Sequence, residues 1–269
     1  MAREYHVAKS GNDQNLGTYE SPFLTISKAA KIAEEGDTVI VHEGVYRECV
    51  SPEFGSRSAF LPITYVAAEG EKVVIKGSEE VSEWKKDGDF WCASVKNTLF
   101  GGFNPYAEEL DGDWLVRPLS PSLHTGMVYY DGEALREALT KEMLRETEMS
   151  FFAEVKEEET VFSVNLGNRD PNTVLMEVNV RRSCFYPEKT GLNYITVRGF
   201  EMAHAATNWA PPTADQVGLI GPHWAKGWII EDNILHDARC CIVSVGKEIS
   251  TGHNQYCHHH KKAGGHYQF

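Results

Sequence analysis

The chain contains 269 residues, 42% of them hydrophobic, and its 26 Lys and Arg residues against 39 Asp and Glu residues give a net charge of −13. The length allows one large domain or two ordinary ones, whereas the negative charge repels phosphate backbones and anionic lipid surfaces. The polar amino terminus and the lack of an apolar run of about eighteen residues also argue against a membrane protein, so we expect a cytoplasmic protein with neither nucleic acid nor a membrane as partner.

The first seventy-six residues predict a short strand, a helix and then further strands. The segment "EYHVAKSG" reads as a strand that runs into a turn. In "SPFLTISKAAKIAEEGD", one helical face carries the apolar residues, and Gly36 is the expected end of the helix; the face consists of Ile26, Ala29, Ala30 and Ala33. Two runs rich in Val, Ile and Tyr follow. This order predicts a parallel β-helix whose first coil is capped by the helix.

The last third contains a weak internal repeat. "YITVRGFEMAHA" and "WIIEDNILHDA" align so that Val197 overlies Ile230 and Met202 overlies Leu235. The aligned positions are apolar apart from Asn233, which we expect to hydrogen-bond between coils instead of taking part in catalysis. The repeat predicts that the β-helix resumes here.

The middle of the chain has a different pattern. Its short strands are joined by acidic and Asp-Gly turns, and "YYDGEA" predicts a hairpin with a two-residue turn. "EALTKEMLRETE" is locally helix-prone, and "KEEET" is the expected tip of another hairpin. We predict an all-β fold in three parts: first coils with a capping helix at 1–77, an inserted β-sandwich at 78–187, and resumed β-helix coils at 188–269.

A long segment, "TNWAPPTADQVGLIGPHW", separates the two repeats and contains two tryptophans and three prolines. It reads as an insertion on one side of a coil. In stacked-repeat proteins such insertions gather on the binding face.

Several of these stretches resemble one family. "YHVAKSGND", "SPFLTISKAAKIAEEGDTVIVHEGVYRE", "GFNPYAEELDGDWL" and the run from "VNVRRSCFYPEK" through the Trp- and Pro-rich segment to "NILHDA" look like the amino-terminal part of bacterial β-xylosidases of glycoside hydrolase family 120. The resemblance implies a right-handed parallel β-helix interrupted by an immunoglobulin-like β-sandwich. It also implies retaining hydrolysis of xylobiose and short xylo-oligosaccharides, without a cofactor, by two carboxyl groups about 5 Å apart.

The chain departs from the family in length, because family members are more than twice as long. The resemblance places their nucleophilic Asp and acid/base Glu in coils that would follow Phe269, so we expect no catalytic residue in this chain. The ending "KKAGGHYQF" has no closing helix or polar cap, which indicates a truncated chain. We expect that the 269 residues alone do not hydrolyse xylosides.

Four residues are candidates for contact with the sugar. The resemblance places Trp114 over the sugar in the innermost subsite, since a planar indole can cover the apolar face of a pyranose ring; burial in the sandwich core is the alternative. Trp209, His223 and Trp224 are further candidates, although an aromatic loop can also serve only to pack against the sandwich.

The other polar clusters have ordinary explanations. The acidic groups of "EDNILHDA" and Glu248 fit solvated turns, and "CHHHKK" lacks a second ligand set for a metal, so no metal site is predicted. The six scattered cysteines are expected to be free thiols, as suits a reducing compartment. Two other functions remain open: a β-helix polysaccharide lyase, which the net charge disfavours, and a non-catalytic carbohydrate-binding remnant.

Overall fold

A computed structural model describes residues 2–110, 122–209 and 217–245. These residues are predominantly β with few and short helices, which confirms the predicted all-β class. The amino-terminal part contains β1 Glu4–Val7, α1 Ile26–Ala30, β2 Thr38–Val41, β3 Gly44–Tyr46, β4 Ile63–Ala67 and β5 Val73–Lys76.

Helix α1 buries Ile26, Ala29 and Ala30 of the predicted apolar face but ends earlier than predicted. The Thr25 side chain accepts a hydrogen bond from the Lys28 amide at the amino-terminal cap. The helix ends at Ala30, not at Gly36, because the Ala30 carbonyl accepts from the Glu53 amide. The Glu34 amide, which would continue the helix, instead donates to the Asp37 carboxylate at 2.9 Å. One long-range partner, the Glu53 amide, and one local partner, the Asp37 carboxylate, therefore end the helix.

The middle part forms two sheets. The first has the order β10-β9-β14-β6 and the second β11-β12-β13-β8-β7; all pairs are antiparallel except β11 with β12. The elements are β6 Ser78–Glu80, β7 Lys85–Asp87, β8 Phe90–Lys96, β9 Val128–Tyr130, β10 Glu133–Ala134, β11 Arg136–Glu137, α2 Lys141–Glu146, β12 Ser150–Val155, β13 Glu159–Asn165 and β14 Met176–Asn179, with short 3-10 turns at Asn97–Phe100 and Pro171–Thr173. We call the described residues of 78–180 the antiparallel segment.

Local predictions for this segment are confirmed. Asp131 and Gly132 form the two-residue turn between β9 and β10, and both have the positive φ angles that such a hairpin turn requires. Helix α2 forms within "EALTKEMLRETE", and the "KEEET" run is the tip between β12 and β13. The two sheets share one apolar core, with Val128 and Val178 from the first and Phe162 from the second.

The remaining strands return to the first part of the chain. They are β15 Ile195–Arg198, β16 Glu201–Ala203, β17 Ile229–Glu231 and β18 Ile234–Leu235. Two entirely parallel sheets result, with the orders β1-β2-β4-β15-β17 and β3-β5-β16-β18. Isolated parallel bridges join Val50, Phe185, Ile220 and Val243 in a third row. We call the described residues of 2–77 and 181–245 the parallel stack.

The internal repeat predicted from the sequence has the expected register. Val197 pairs with Ile230, and Met202 pairs with Leu235. Asn233 accepts from the Phe200 amide at 2.9 Å and donates to the Val197 carbonyl at 2.9 Å. Its amide therefore bonds to backbone groups of the preceding rung, as expected.

Replacing Asn233 by Ala should destabilise the stack. The substitution leaves one backbone donor and one acceptor without their partners, at a cost of about 1–3 kcal/mol in the free energy of unfolding. Urea unfolding followed by tryptophan fluorescence measures it. Glu231→Ala is the control, since Glu231 pairs with Arg198 only at the exposed surface and such pairs contribute about 0–1 kcal/mol. Equal effects of the two substitutions would contradict the structural role of Asn233.

Candidate functional site

A buried carboxylate lies at the junction between the parallel stack and the antiparallel segment. The Glu177 side chain on β14 is 0% exposed and accepts hydrogen bonds from Arg47 Nη1 at 2.6 Å and Lys76 Nζ at 2.7 Å. Ser78 Oγ also donates to it at 3.0 Å. Because Arg47 follows β3 and Lys76 ends β5, two cations of the stack hold one anion of the antiparallel segment.

The charge state of this group follows from its partners. Burial alone would raise the pKa of the Glu177 carboxyl, but the hydrogen bonds from Lys76 and Arg47 outweigh it, and the net pKa is lowered. The carboxylate is therefore ionised at neutral pH and balances the two partly buried cations.

A neutral histidine extends the junction. His204 Nδ1 lies 2.8 Å from Ser78 Oγ, and its ring stacks on Tyr129 with centroids 3.7 Å apart and an interplanar angle of 7°. Burial lowers the pKa of His204 to about 4. Because Ser78 already donates to Glu177, its oxygen is left to accept from the Nδ1–H of the neutral ring. His204 precedes the long loop by three residues, so the junction fixes where the loop starts.

A second ion-pair group joins the same two parts. The Glu137 carboxylate accepts from Arg239 Nη2 at 2.9 Å and lies 2.7 Å from His124 Nδ1. The hydrogen bond to Glu137 raises the pKa of His124 against the opposing effect of burial. Glu137 and Arg239 also line an open cavity of about 510 Å³, together with Leu123, Met127 and Met149.

The first end of the long loop contacts the antiparallel segment. Asn208 Nδ2 donates to the Glu109 carbonyl at 3.2 Å, and the adjacent Trp209 side chain is 36% exposed. Beside this contact, Arg182 pairs with Glu108 at 2.6 Å and lies 4.2 Å above the Phe103 ring. The loop and the segment that leads toward Trp114 therefore meet at this point; Trp114 itself lies outside the described residues.

The second end of the loop has other neighbours. His223 packs its ring against Tyr186 with centroids 5.0 Å apart, and its Nδ1 donates to the Pro187 carbonyl at 2.7 Å. His223 and Trp224 are consecutive residues with positive φ angles of 47° and 65°, a strained backbone that clusters at functional sites. Both side chains are partly exposed. The hydrogen bond of His223 serves to hold the loop.

Three acidic groups of the two repeats are paired with basic side chains. Glu231 pairs with Arg198, Glu201 with Lys72, and Asp237 with His236. Glu248 and the "CHHHKK" run lie outside the described residues. Within the described ranges, no group of three or more His, Cys, Asp or Glu side chains could hold a metal ion, and no helix there is long and apolar enough to span a membrane.

Reasoning from sequence missed the junction. One signal was available, since Glu177 interrupts the apolar run "VLMEVNV", where an acidic side chain must find a buried partner. Its partners are 101 and 130 positions away in the chain, so the sequence could not identify them.

Comparison with known proteins agrees with this architecture. Residues 81–150 match the profile of the glycoside hydrolase 120 insertion domain, and residues 9–57 match a protein family of unknown function, DUF1565. A solved structure of XylC in complex with xylose is 51% identical, superposes with a TM-score of 0.87, and covers 97% of this chain and 44% of the XylC chain. The uncharacterized protein YwoF of Bacillus subtilis (strain 168) is 40% identical over 72 residues, which are 27% of this chain and 15% of YwoF.

These matches confirm the resemblance seen in the sequence. The insertion profile places the chain among proteins related to glycoside hydrolases. More particularly, the chain is similar to XylC, a protein solved with xylose, over nearly all of its residues. The chain spans less than half of the length of XylC.

Proposed function

We propose that this chain forms the amino-terminal, sugar-binding part of a retaining β-xylosidase that acts on xylobiose and short xylo-oligosaccharides. The observation that carries the proposal is the 51% identity to XylC, a protein solved with xylose, over 97% of this chain. At that identity both the fold and the groups that shape a ligand site are expected to be similar.

The geometry of the loop supports a binding role. Asn208 joins the loop to the antiparallel segment through the Glu109 carbonyl, and Trp209 presents a partly exposed indole beside it. An indole can cover the apolar face of a pyranose ring while its N–H donates a hydrogen bond. We propose that Trp209, Trp114, His223 and Trp224 form part of the wall of the sugar site.

The described carboxylates of this region are better suited to structure than to catalysis. Retaining hydrolysis needs a nucleophilic carboxylate and a carboxylic acid about 5 Å apart. Glu108 and Glu137 are each paired with an arginine, so each carboxylate already has a structural partner. We therefore propose that these residues shape the site and that the carboxylates of the chemical step lie outside the described residues.

The finer architecture is part of the same proposal. The two parallel sheets and the third row of bridges fit three faces of a right-handed parallel β-helix, and the two antiparallel sheets with a shared core fit an immunoglobulin-like sandwich. Domain limits of 1–77, 78–187 and 188–269 stay a prediction. Cys184 and Phe185 pack in the core of the parallel stack, which supports placing the boundary between the inserted sandwich and the resumed coils a few residues before 187.

Binding of xylobiose tests the proposal. We expect calorimetry to detect binding of xylobiose to the 269-residue chain. Trp209→Ala and Trp114→Ala should each lower the affinity about tenfold, which corresponds to a loss of about 1.4 kcal/mol of stacking energy. Phe60→Ala is the control, since Phe60 is 95% exposed and lies between β3 and β4, away in sequence from the loop. We expect no sustained release of nitrophenol from nitrophenyl β-xyloside.

Two outcomes would count against this function. An absence of heat with xylobiose would remove the sugar-binding role, and turnover of the xyloside at a rate typical of enzymes would show that the chain carries its own catalytic carboxylates.

A further inference from the structure

Three ionisable side chains form a row at one edge of the parallel stack, away from the junction. His6 lies on β1, His42 directly follows β2, and Glu71 lies between β4 and β5. His6 Nδ1 is 3.0 Å from His42 Nε2, and His42 Nδ1 is 3.1 Å from Glu71 Oε1. Because β1, β2 and β4 are neighbours in one sheet, each rung of the stack contributes one group to the row.

The two imidazoles face each other through their nitrogens. Their planes are inclined by only 16°, and their centroids are 5.3 Å apart, far beyond the separation of stacked ring faces. With the nitrogens 3.0 Å apart, the rings lie side by side and share one hydrogen bond. This arrangement leaves no space for an ion between the rings.

The hydrogen bonds allow two protonation states with the same geometry. When both rings are neutral, His42 donates from Nδ1 to Glu71 and accepts at Nε2 from His6. When the row holds one additional proton, His42 donates from both nitrogens and His6 accepts. A second additional proton places two N–H groups and two positive charges against each other at 3.0 Å, which the geometry cannot satisfy.

The surroundings of the row are partly exposed and mostly acidic. The Glu43 amide donates to Glu71 Oε2 at 2.6 Å, and Glu4 and Glu20 act electrostatically on His6. The ring of Tyr19, which is 69% exposed, meets both imidazoles edge-on with centroids 5.3 and 5.8 Å away. Tyr19 lies in the segment 12–22, whose Gly17 carbonyl accepts from the His6 amide.

We propose that Glu71, His42 and His6 are a pH-sensitive switch: the row accommodates one additional proton, and a second one separates the rings and loosens the segment around Tyr19. The switch responds to mildly acidic conditions because imidazoles are the groups that titrate there.

The pKa of His6 is shifted in the direction that the switch requires. Burial and then the neighbouring His42 lower the pKa of His6, while Glu4 and Glu20 oppose them. The pKa of His6 in the folded chain lies below its unfolded value of about 6.5. The contribution of neutral His6 to the stability of the fold is therefore complete above that pH. It is lost as the pH falls from about 6.5 through the folded pKa.

Nuclear magnetic resonance of the full chain tests the switch. The imidazole nitrogens of His6 and His42 should titrate in two separate steps, because the row binds its protons in sequence. Amide exchange of Asn15 and Gly17, corrected for intrinsic rates, should accelerate about tenfold with the second step, because the segment then opens more often. Both amides bond within the segment, to the carbonyls of Asn12 and Ser21.

Two variants separate the switch from a general effect of acid. In His42→Gln, His6 should titrate in one step and the extra acceleration at Asn15 and Gly17 should disappear. His236→Gln removes another histidine that pairs with a carboxylate, and it should leave both steps and the acceleration unchanged. Independent titration of His6 and His42 in the unmodified chain, or identical exchange at pH 7.5 and pH 5, would overturn the proposal without any variant.

Discussion

Glu177→Gln should unfold the chain at a much lower urea concentration than the unmodified protein requires. The substitution keeps the shape of the side chain but removes its charge, so Lys76 loses its counter-ion and Arg47 keeps only its pair with the exposed Glu80. Breaking a buried ion pair in this way costs about 3–5 kcal/mol in the free energy of unfolding. Circular dichroism during urea titration at pH 7 measures the loss.

The same group predicts an acid-dependent stability. The folded pKa of Glu177 is lowered, so its stabilisation is present above the unfolded pKa of about 4.3 and is lost as the pH falls through the folded value. In Glu177→Gln this part of the acid dependence should be absent.

Glu80→Gln is the matched control for both measurements. Glu80 also pairs with Arg47, but its side chain is 63% exposed, and exposed pairs contribute about 0–1 kcal/mol. If the two substitutions shifted the urea midpoint equally, burial of the carboxylate would not be the source of the stabilisation.

Gly77→Ala should also be strongly destabilising, for a steric reason. A Cβ at this position would lie 2.5 Å from the His204 carbonyl oxygen and 3.3 Å from Ala205 Cα. The Gly77 carbonyl accepts from the amides of Val180 and Arg181, so the backbone is held on both sides and cannot move away. Such overpacking costs about 1–3 kcal/mol or more, measurable by thermal unfolding.

Gly102→Ala provides the comparison. No atom lies within 4 Å of the Cβ that this substitution would add, so the melting temperature should stay almost unchanged. If Gly77→Ala melted like Gly102→Ala, the close approach of Gly77 to the His204 backbone within the parallel stack would be refuted.

Local signals predicted a good part of the fold. Asp131 and Gly132 gave the hairpin turn because only such residues adopt two positive φ angles at low cost. The spacing of apolar residues in the last third gave the register of Val197 with Ile230, since equivalent positions of a repeat occupy equivalent places in adjacent rungs. The overall excess of β-branched and apolar runs gave the β class.

The candidate site was only partly predictable. The long aromatic loop was visible as an interruption of the repeat, and the contact of Asn208 with Glu109 shows where its first end lies. The sequence does not say which face of the neighbouring segment the loop meets, because that contact joins residues 99 positions apart.

The sequence by itself determined the strands, the turns, the repeat and the resemblance to family 120, because each depends on residues close in the chain or on matching motifs. Only the tertiary structure decided where α1 ends, which cations hold Glu177, and that His6 and His42 meet. These features depend on hydrogen bonds and ion pairs, each of which requires a partner within about 3 Å. Folding of the chain brings most of these partners from distant parts of the sequence, so local propensity does not predict them.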